Sequence, residues 1–389
     1  MSDNRLLLIQ TLEALPRLDG RYENIKCVNY DPALGAKRGC FSIVFRAHDV
    51  LENKDVALKF FDIDPVNLVR IYRRQAFERE HAILTDLKSK ERCLQLASGR
   101  SVFSLSGVGP SGVGLTIPCE YFAVEWIEKQ IDEYFERQQD FDAKDKLNLF
   151  NEIVLSVQAL HRHNVFHRDL KPDNLRSYTK DSKRVVVAID LGTAALFSSA
   201  PLQPDYVHTV GAPAYSPLEA FCHLAGVREI GALTDNYALG CMLFELFNLD
   251  LFARAYLNRN THYHFVLAAM EHLLRAGASI GEKIRIWEQN IGTYSNGLTC
   301  PSIDGPGSTV PKGISSLLNS ALVGLTAPDF GKRTKDLDRV RRTIWSAIRS
   351  LENEHDYKRR LEQMRERRRR REQRAHLRDQ RLQKLLRKP

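Results

Sequence analysis

The stretch Val165-Phe166-His167-Arg168-Asp169-Leu170-Lys171-Pro172-Asp173-Asn174-Leu175 constrains this chain more than any other. Between apolar flanks it sets a histidine, an arginine, two aspartates, a lysine and an asparagine within eight consecutive positions. Such a density of ionisable groups beside β-branched and aromatic residues does not suit a solvated loop, because charge next to buried apolar surface persists only where something meets it. A surface turn is the plain alternative, since Lys171-Pro172-Asp173-Asn174 is good turn chemistry. Ahead of the stretch, apolar residues at 147, 150, 153, 154, 157 and 160 follow the helical period and predict a helix from Lys146 to His163. Behind it, Val185-Val186-Val187-Ala188-Ile189 predicts a compact strand that ends in Asp190-Leu191-Gly192.

Composition narrows the class. A chain of 389 residues has room for two or three domains, or for one two-lobed enzyme with extensions. The seven cysteines (27, 40, 93, 119, 222, 241 and 300) form no C-x-x-C pair and no zinc-finger spacing, so they read as reduced thiols in a reducing compartment. No stretch reaches the roughly 20 apolar residues of a membrane-spanning helix. The run Leu6-Leu7-Leu8-Ile9 is too short for a signal-peptide core, and Tyr237 to Phe247 contains Glu245 and reads as a buried helix. The expectation is a soluble, cytoplasmic protein. The net charge of +9 is unevenly placed: from Leu351 to the end, fifteen Lys/Arg stand against seven Asp/Glu, a balance of +8 that leaves +1 for residues 1–350.

In chain order, Leu6, Leu7, Ile9, Leu12 and Leu15 suggest an amphipathic helix ending near Pro16, which packs on the first lobe or serves as an adaptor. Tyr30 to Ala47 reads as a strand, a glycine-bearing turn and a second strand. Asp55-Val56-Ala57-Leu58-Lys59-Phe60-Phe61 is a β-type run broken by one lysine, which costs free energy unless an anion meets it or it snorkels to water. Phe77, Ile83, Leu84 and Leu87 mark an apolar helical stripe that carries Glu80, with Glu78 as the alternative carboxylate. Ser and Gly enrichment over 96–118 predicts a hairpin turning around Gly109-Pro110-Ser111-Gly112, followed by a buried strand from Tyr121 to Ile127. Residues 251–312 show helical periodicity, then a Gly/Pro/Ser loop. The tail, 351–389, is helical by composition, with five arginines in a row at 367–371 and no sustained heptad.

The ordered series of motifs resembles the eukaryotic-like (Hanks-type) serine/threonine protein kinase family over residues 25–350. His167-Arg168-Asp169-Leu170 with Asn174 matches the catalytic loop H-R-D-L-x-x-x-N. Lys37, Gly39 and Ser42 stand where that family's glycine-rich loop has its three glycines, with Phe41 and Val44 at the expected offsets. Val56-Ala57-Leu58-Lys59 resembles V-A-I-K, Asp190-Leu191-Gly192 resembles D-F-G, and Gly211-Ala212-Pro213-Ala214-Tyr215-Ser216-Pro217-Leu218-Glu219 resembles G-T-P-x-Y-x-A-P-E. Ala212 and Leu218 depart from that last pattern, in place of a threonine and a proline.

The resemblance implies an α+β, two-lobed kinase fold: an extension (1–24), a β-rich small lobe with one key helix (25–127), a mainly helical large lobe (128–350) and a basic helical or disordered tail (351–389). It implies ATP and Mg²⁺. Lys59 and Glu80 would position the α/β-phosphates, Asn174 and Asp190 would hold the metal, Asp169 would orient the substrate hydroxyl and Lys171 would stabilise the γ-phosphate. The purine would sit among Val44, Ala57, the gatekeeper Val124 and the hinge residues Glu125 to Ile127. Asp235 would brace the catalytic loop, Arg333 would pair with Glu219, and Arg168 would pair with a phosphate at Thr193, Ser198, Ser199, Tyr206 or Thr209. Lys171, in place of the tyrosine-kinase pattern, favours Ser/Thr hydroxyls of protein substrates. A nucleotide-binding pseudokinase scaffold and a small-molecule phosphotransferase are the rival readings. The basic tail reads as a solvated arm or as binding nucleic acid, an anionic membrane surface or an acidic protein, and the lack of aromatics beyond Tyr357 argues against single-strand stacking.

Overall fold

The computed structural model describes residues 4–31, 35–37, 39, 42–64, 71–108, 114–196 and 211–386. Their architecture is α+β in two lobes. The small lobe is a five-stranded antiparallel sheet of β1 (Tyr22–Cys27), β4 (Ser42–Asp49), β5 (Lys54–Phe61), β6 (Leu96–Val108) and β7 (Gly114–Glu125), in the order β1-β4-β5-β7-β6. Two short strands, β2 (Tyr30–Asp31) and β3 (Ala36–Lys37), pair beside it. The turn expected around Gly109–Gly112 lies outside the described residues, although β6 and β7 pair up to Val108 and Gly114 on either side of it.

Strand periodicity decides what faces the cleft. Successive side chains alternate between the two faces of a sheet. In β5, Val56, Leu58 and Phe60 enter an upper core, while Ala57 and Phe61 join the core shared with the large lobe; Lys59, between them, therefore shares the cleft face. In β7 the same alternation sends Cys119, Tyr121 and Ala123 up and Phe122 and Val124 down. Helix α1 (Asn4–Ala14) closes the upper core with Leu8, Ile9 and Leu12, so it packs on the sheet. Arg5 at its start donates to Asp62, just after β5. The boundary expected at 24/25 falls inside β1, and helix packing makes the first residues part of this lobe. Helix α2 (Ile71–Asp86) lies under the sheet through Phe77, Ile83 and Leu84, and the same face carries Glu80.

The large lobe is built on α4 (Ala143–Arg162), which follows the short α3 (Glu133–Glu136). Asp142 caps α4 by accepting from the Asp145 N–H at 2.7 Å, satisfying one of the donors a helix start leaves open. Its buried face, including Leu147, Phe150, Ile153, Val154, Val157 and Leu160, fixes where its last turn delivers the next residues. These form β9 (Val165–Phe166), a single 3₁₀ turn at Pro172–Asn174, and the hairpin β10 (Leu175–Lys180) and β11 (Lys183–Ala188), with β8 (Lys129–Gln130) at its edge and β12 (Ala195–Leu196) pairing β9. Beyond lie α5 (Leu218–Phe221), α6 (Arg228–Glu245), α7 (Phe252–Arg259), α8 (Tyr263–Leu274), α9 (Ile280–Tyr294), α10 (Lys312–Leu325) and α11 (Leu337–Leu386). The first turns of α11 bury Leu337, Val340, Ile344, Ala347 and Ile348. The helix then runs through position 350 without a break, so the tail expected as helical or disordered is helical to Leu386. None of the described helices is long and apolar enough to cross a membrane.

Candidate active site

Between the lobes the structure gathers side chains from β5, α2, the loop after β9 and the segment after β11. Lys59 donates its Nζ to Glu80 Oε1 and lies 3.6 Å from Asp190 Oδ1. Glu80 is fully buried, and its Oε1 also accepts the Leu191 N–H at 3.1 Å, tying α2 to the turn after Asp190. Burial alone would lower the Lys59 pKa, but the Glu80 and Asp190 carboxylates outweigh it and leave it raised, so the ammonium stays charged. Glu78, the alternative carboxylate, bonds Arg74 Nε at 3.3 Å on the outer side of the helix.

The residues of the expected catalytic loop are held mainly through their backbone N–H groups. The Asp235 carboxylate, buried in α6, accepts the His167 and Arg168 N–H groups at 2.8 Å each and faces His161 Nε2 at 3.0 Å. His167 Nε2 lies 2.9 Å from the Ile189 carbonyl and its Nδ1 accepts the Asp169 N–H at 3.3 Å, an arrangement that places the ring proton on Nε2. Arg168 sits in the left-handed region at φ 64°, with its Nε donating to the Thr193 carbonyl at 2.8 Å. Asp169 Oδ1 accepts the Ala212 N–H at 2.7 Å, and its Oδ2 accepts Asn174 Nδ2 at 3.0 Å. The backbone of Ala212 thus reaches the aspartate although its side chain has no hydroxyl. Burial raises the Asp169 pKa, opposed by Lys171, whose Nζ is 4.0 Å from Oδ2, and by His167.

Two glycines beside these contacts hold left-handed backbone, and one of them leaves no room for a side chain. Gly211 has φ 89°, and a Cβ there would fall 2.2 Å from the Arg168 carbonyl oxygen. Gly39, from the expected glycine loop, has φ 85°, and a Cβ there would face Asp190 Oδ2 at 3.9 Å. Asp190 itself is left-handed (φ 61°, ψ 67°), which turns the chain so that Leu191 is fully buried, with Gly192 and Thr193 buried beside it. Burial would raise the Asp190 pKa, but Lys59, His167 and Lys171 more than offset it and hold it low.

The remaining expected residues fall into two groups. Val44 pairs across from Lys59, and Ala57 pairs across from Val124, so with the buried Ile127 they line the cleft side of the sheet. At the hinge the Glu125 N–H donates to Gln95 O at 3.0 Å and the Trp126 N–H to Asp55 O at 3.3 Å, while the Glu125 side chain accepts the Gln95 N–H at 2.9 Å. Lys37 is drawn to one side, with its Nζ on Asp62. Farther off, Glu219 and Arg333 form a fully buried pair, and Arg333 also donates to the Leu233 and Ala327 carbonyls. Thr209 and the other activation-segment hydroxyls at 198, 199 and 206 lie outside the described residues. Sequence reasoning missed His161, the Thr193 carbonyl and the Arg5–Asp62–Lys37 cluster; only His161, one turn ahead of the loop, carried a usable signal in its spacing.

The profile described as the protein kinase domain matches residues 31–322. The serine/threonine-protein kinase PrkC of Bacillus subtilis is 26% identical over 235 residues, 59% of this chain and 31% of that protein. A Dictyostelium discoideum protein named as a probable myosin light chain kinase is 30% identical over 220 residues, 54% of this chain and 50% of its own. CBL-interacting serine/threonine-protein kinase 21 of Arabidopsis thaliana is 24% identical over 228 residues, 58% of this chain and 48% of its own. The chain therefore spans half or less of the length of these relatives. With the profile covering most of its residues, this chain belongs to the protein kinase family.

Proposed function

We propose that this chain transfers the γ-phosphate of ATP to Ser/Thr hydroxyls of protein substrates, its own activation segment among them. The observation that carries this reading is the closed Lys59–Glu80 pair with Asp190 at 3.6 Å, facing an Asp169 whose two oxygens are already oriented. Lys59, fixed by Glu80, meets the α/β-phosphates. The bonds from Ala212 and Asn174 hold the Asp169 carboxylate so that it accepts a hydrogen bond from the attacking hydroxyl in line with the γ-phosphate. Lys171 acts as a point charge on the transferred group.

The residues also fit a magnesium ion. The amide of Asn174 turns its Nδ2 to Asp169, which leaves Oδ1 as a hard oxygen donor to set beside the Asp190 carboxylate. Among the described residues no group of three or more His, Cys, Asp or Glu could cage a metal, so the other ligands would be phosphate oxygens and water. When bound, the ion neutralises charge on the phosphates. Val44, Ala57 and Val124 form the purine walls, and the Ile127 amide is the hinge donor left once those of Glu125 and Trp126 are spent. The small lobe runs to 127 with α1 and the whole of β1 in it, and the large lobe takes 128–350.

A groove of about 220 Å³ opens beside Lys171, lined among others by Asp132, Glu136, Asp173 and Asp250. Its charge suits substrates with basic residues near the acceptor hydroxyl. Phosphoamino-acid analysis of a basic protein and of the chain itself, after incubation with Mg-ATP, tests the reading. Phosphoserine and phosphothreonine support it, phosphotyrosine alone refutes the hydroxyl assignment, and nucleotide binding without any transfer indicates a scaffold.

A further inference from the structure

Lys37 stands where the kinase glycine-rich loop has its first glycine, and the structure gives this departure a partner. From the end of β3 its Nζ reaches Asp62 Oδ2 at 2.5 Å, with only 8% of the Lys37 side chain and 1% of the Asp62 side chain open to solvent. Asp62 also joins α1, accepting Arg5 Nε at 2.8 Å on Oδ1 and Arg5 Nη2 at 3.2 Å on Oδ2. Its Oδ1 takes the Asp64 N–H at 3.2 Å, and the Asp64 carboxylate meets Arg5 Nη2 at 2.8 Å. Arg5 and Arg73 act against the Lys37 charge, so the Asp62 carboxylate is what favours an ammonium there. Two residues beyond Lys37, a Cβ on Gly39 would stand 3.9 Å from Asp190 Oδ2. Two residues span at most about 7 Å, so anchoring Lys37 limits where Gly39 can go. The far side of the loop sequence is tied separately: Asn29 Nδ2 donates to Ser42 O at 3.0 Å, and Asn29 Oδ1 accepts the Val44 N–H at 2.8 Å.

We infer, on the kinase reading proposed above, that Asp62 is a positioning residue for the nucleotide: it holds Lys37, and so fixes the entry to the glycine loop near Asp190, with Arg5 of α1 setting the anchor. A glycine at position 37 would leave the backbone there free to sample many conformations. Nucleotide affinity then falls with the fraction of molecules whose loop is in place. Lysine narrows that freedom, and its ion pair with Asp62 fixes the backbone through a charge-assisted hydrogen bond shielded from water. The alternative is that Lys37 binds phosphate directly. That would require breaking the buried pair and leaving Asp62 to Arg5 alone, whereas Lys59 already places a cation 3.6 Å from Asp190 Oδ1. The same contacts make α1 part of the nucleotide site at one remove, since Arg5 touches no cleft residue but bonds both oxygens of the carboxylate that does the holding.

The test uses the full chain and reads Mg-ATP in two ways: equilibrium binding of a fluorescent ATP analogue, and KM and kcat for transfer to a basic protein. Lys37→Met keeps the aliphatic stem and removes the ammonium, while Asp62→Asn keeps the shape and removes the charge. Each should weaken nucleotide binding and raise KM for ATP about tenfold, the lower end of what a hydrogen bond between charged groups contributes. KM for the protein substrate and kcat should stay within about threefold of wild type, a split that a general loss of structure would not give. Because the two side chains act as a unit, the double variant should bind no worse than the weaker single. Lys37→Arg, which keeps charge and reach, should restore affinity to within about threefold. Should Asp62→Asn prove unfolded by circular dichroism, the contrast between Lys37→Met and Lys37→Arg decides alone. Unchanged affinity in Lys37→Met, additive losses in the double variant, or tighter binding by Asp62→Asn, which would mean that Lys37 is freed for phosphate, would each overturn the assignment. Binding is read without turnover, so a wild type that binds nucleotide without transferring phosphate counts against the kinase reading alone.

Discussion

Removing one member of the Glu219–Arg333 pair gives the sharpest test of the large lobe's architecture. Both side chains are completely excluded from solvent. Arg333 makes two bonds to the Glu219 carboxylate, one to Leu233 O at 3.0 Å and two to Ala327 O at 3.2 and 2.8 Å, and its guanidinium lies 5.2 Å from the centre of the Tyr237 ring. Arg333→Met leaves a buried carboxylate without its counter-charge and two carbonyls without their donor. Breaking a buried pair from one side costs about 3–5 kcal/mol. For a lobe of this size each kcal/mol moves Tm by about 2–4 °C, so the loss is roughly 6–20 °C. Glu219→Leu strands the cation and costs a similar amount. The double variant removes both charges and leaves only the carbonyls short, so it is more stable than the sum of the singles by at least about 2 kcal/mol. Urea unfolding of the four proteins measures this. Single losses below about 1 kcal/mol, or strictly additive ones, would refute the argument.

Further outcomes follow from the same contacts. Gly211→Ala forces a side chain onto a left-handed residue 2.2 Å from the Arg168 carbonyl, at a cost of about 1–3 kcal/mol, and moves the Ala212 N–H off Asp169; kcat should fall at least about tenfold with the fold retained. Lys146, buried in α4 with its Nζ on Thr309 Oγ1, has its pKa lowered by burial to about 8. The unfolded chain then holds more protons than the folded one from about pH 8 up to its normal pKa, so stability rises with pH across that window. Lys146→Met should therefore stabilise the protein at pH 7 by about 1 kcal/mol, with a gain that fades toward pH 10, read as the Tm difference at the two pH values. Leu8→Ala, in the upper core, should cost about 2–5 kcal/mol, and an unchanged Tm would detach α1 from the small lobe.

What could be read from sequence depended on how local the physics was. Lys59 and Glu80 were each legible because a charge interrupted a periodic apolar pattern, and the fold resolved both with one bond. Glu219 and Arg333 were legible only through the family resemblance, since 114 residues separate them. The Arg5–Asp62–Lys37 cluster left no local sign: Lys37 stood out only as a departure from a glycine pattern, and only sheet and helix packing brings it to Asp62 beside Arg5. Tertiary packing also set the edges, for β1 runs across the expected end of the extension and α11 continues through the expected start of the tail.

If the Asp169 carboxylate receives the attacking hydroxyl's hydrogen bond, then γ-phosphate transfer from Mg-ATP must separate wild type from Asp169→Asn, with nucleotide binding measured alongside. Asn keeps the shape and an acceptor for the Ala212 N–H but loses the carboxylate that receives the hydroxyl proton. Wild type should transfer phosphate and the variant about 10²–10⁴-fold more slowly, with nucleotide affinity unchanged. Equal transfer by both proteins would contradict it.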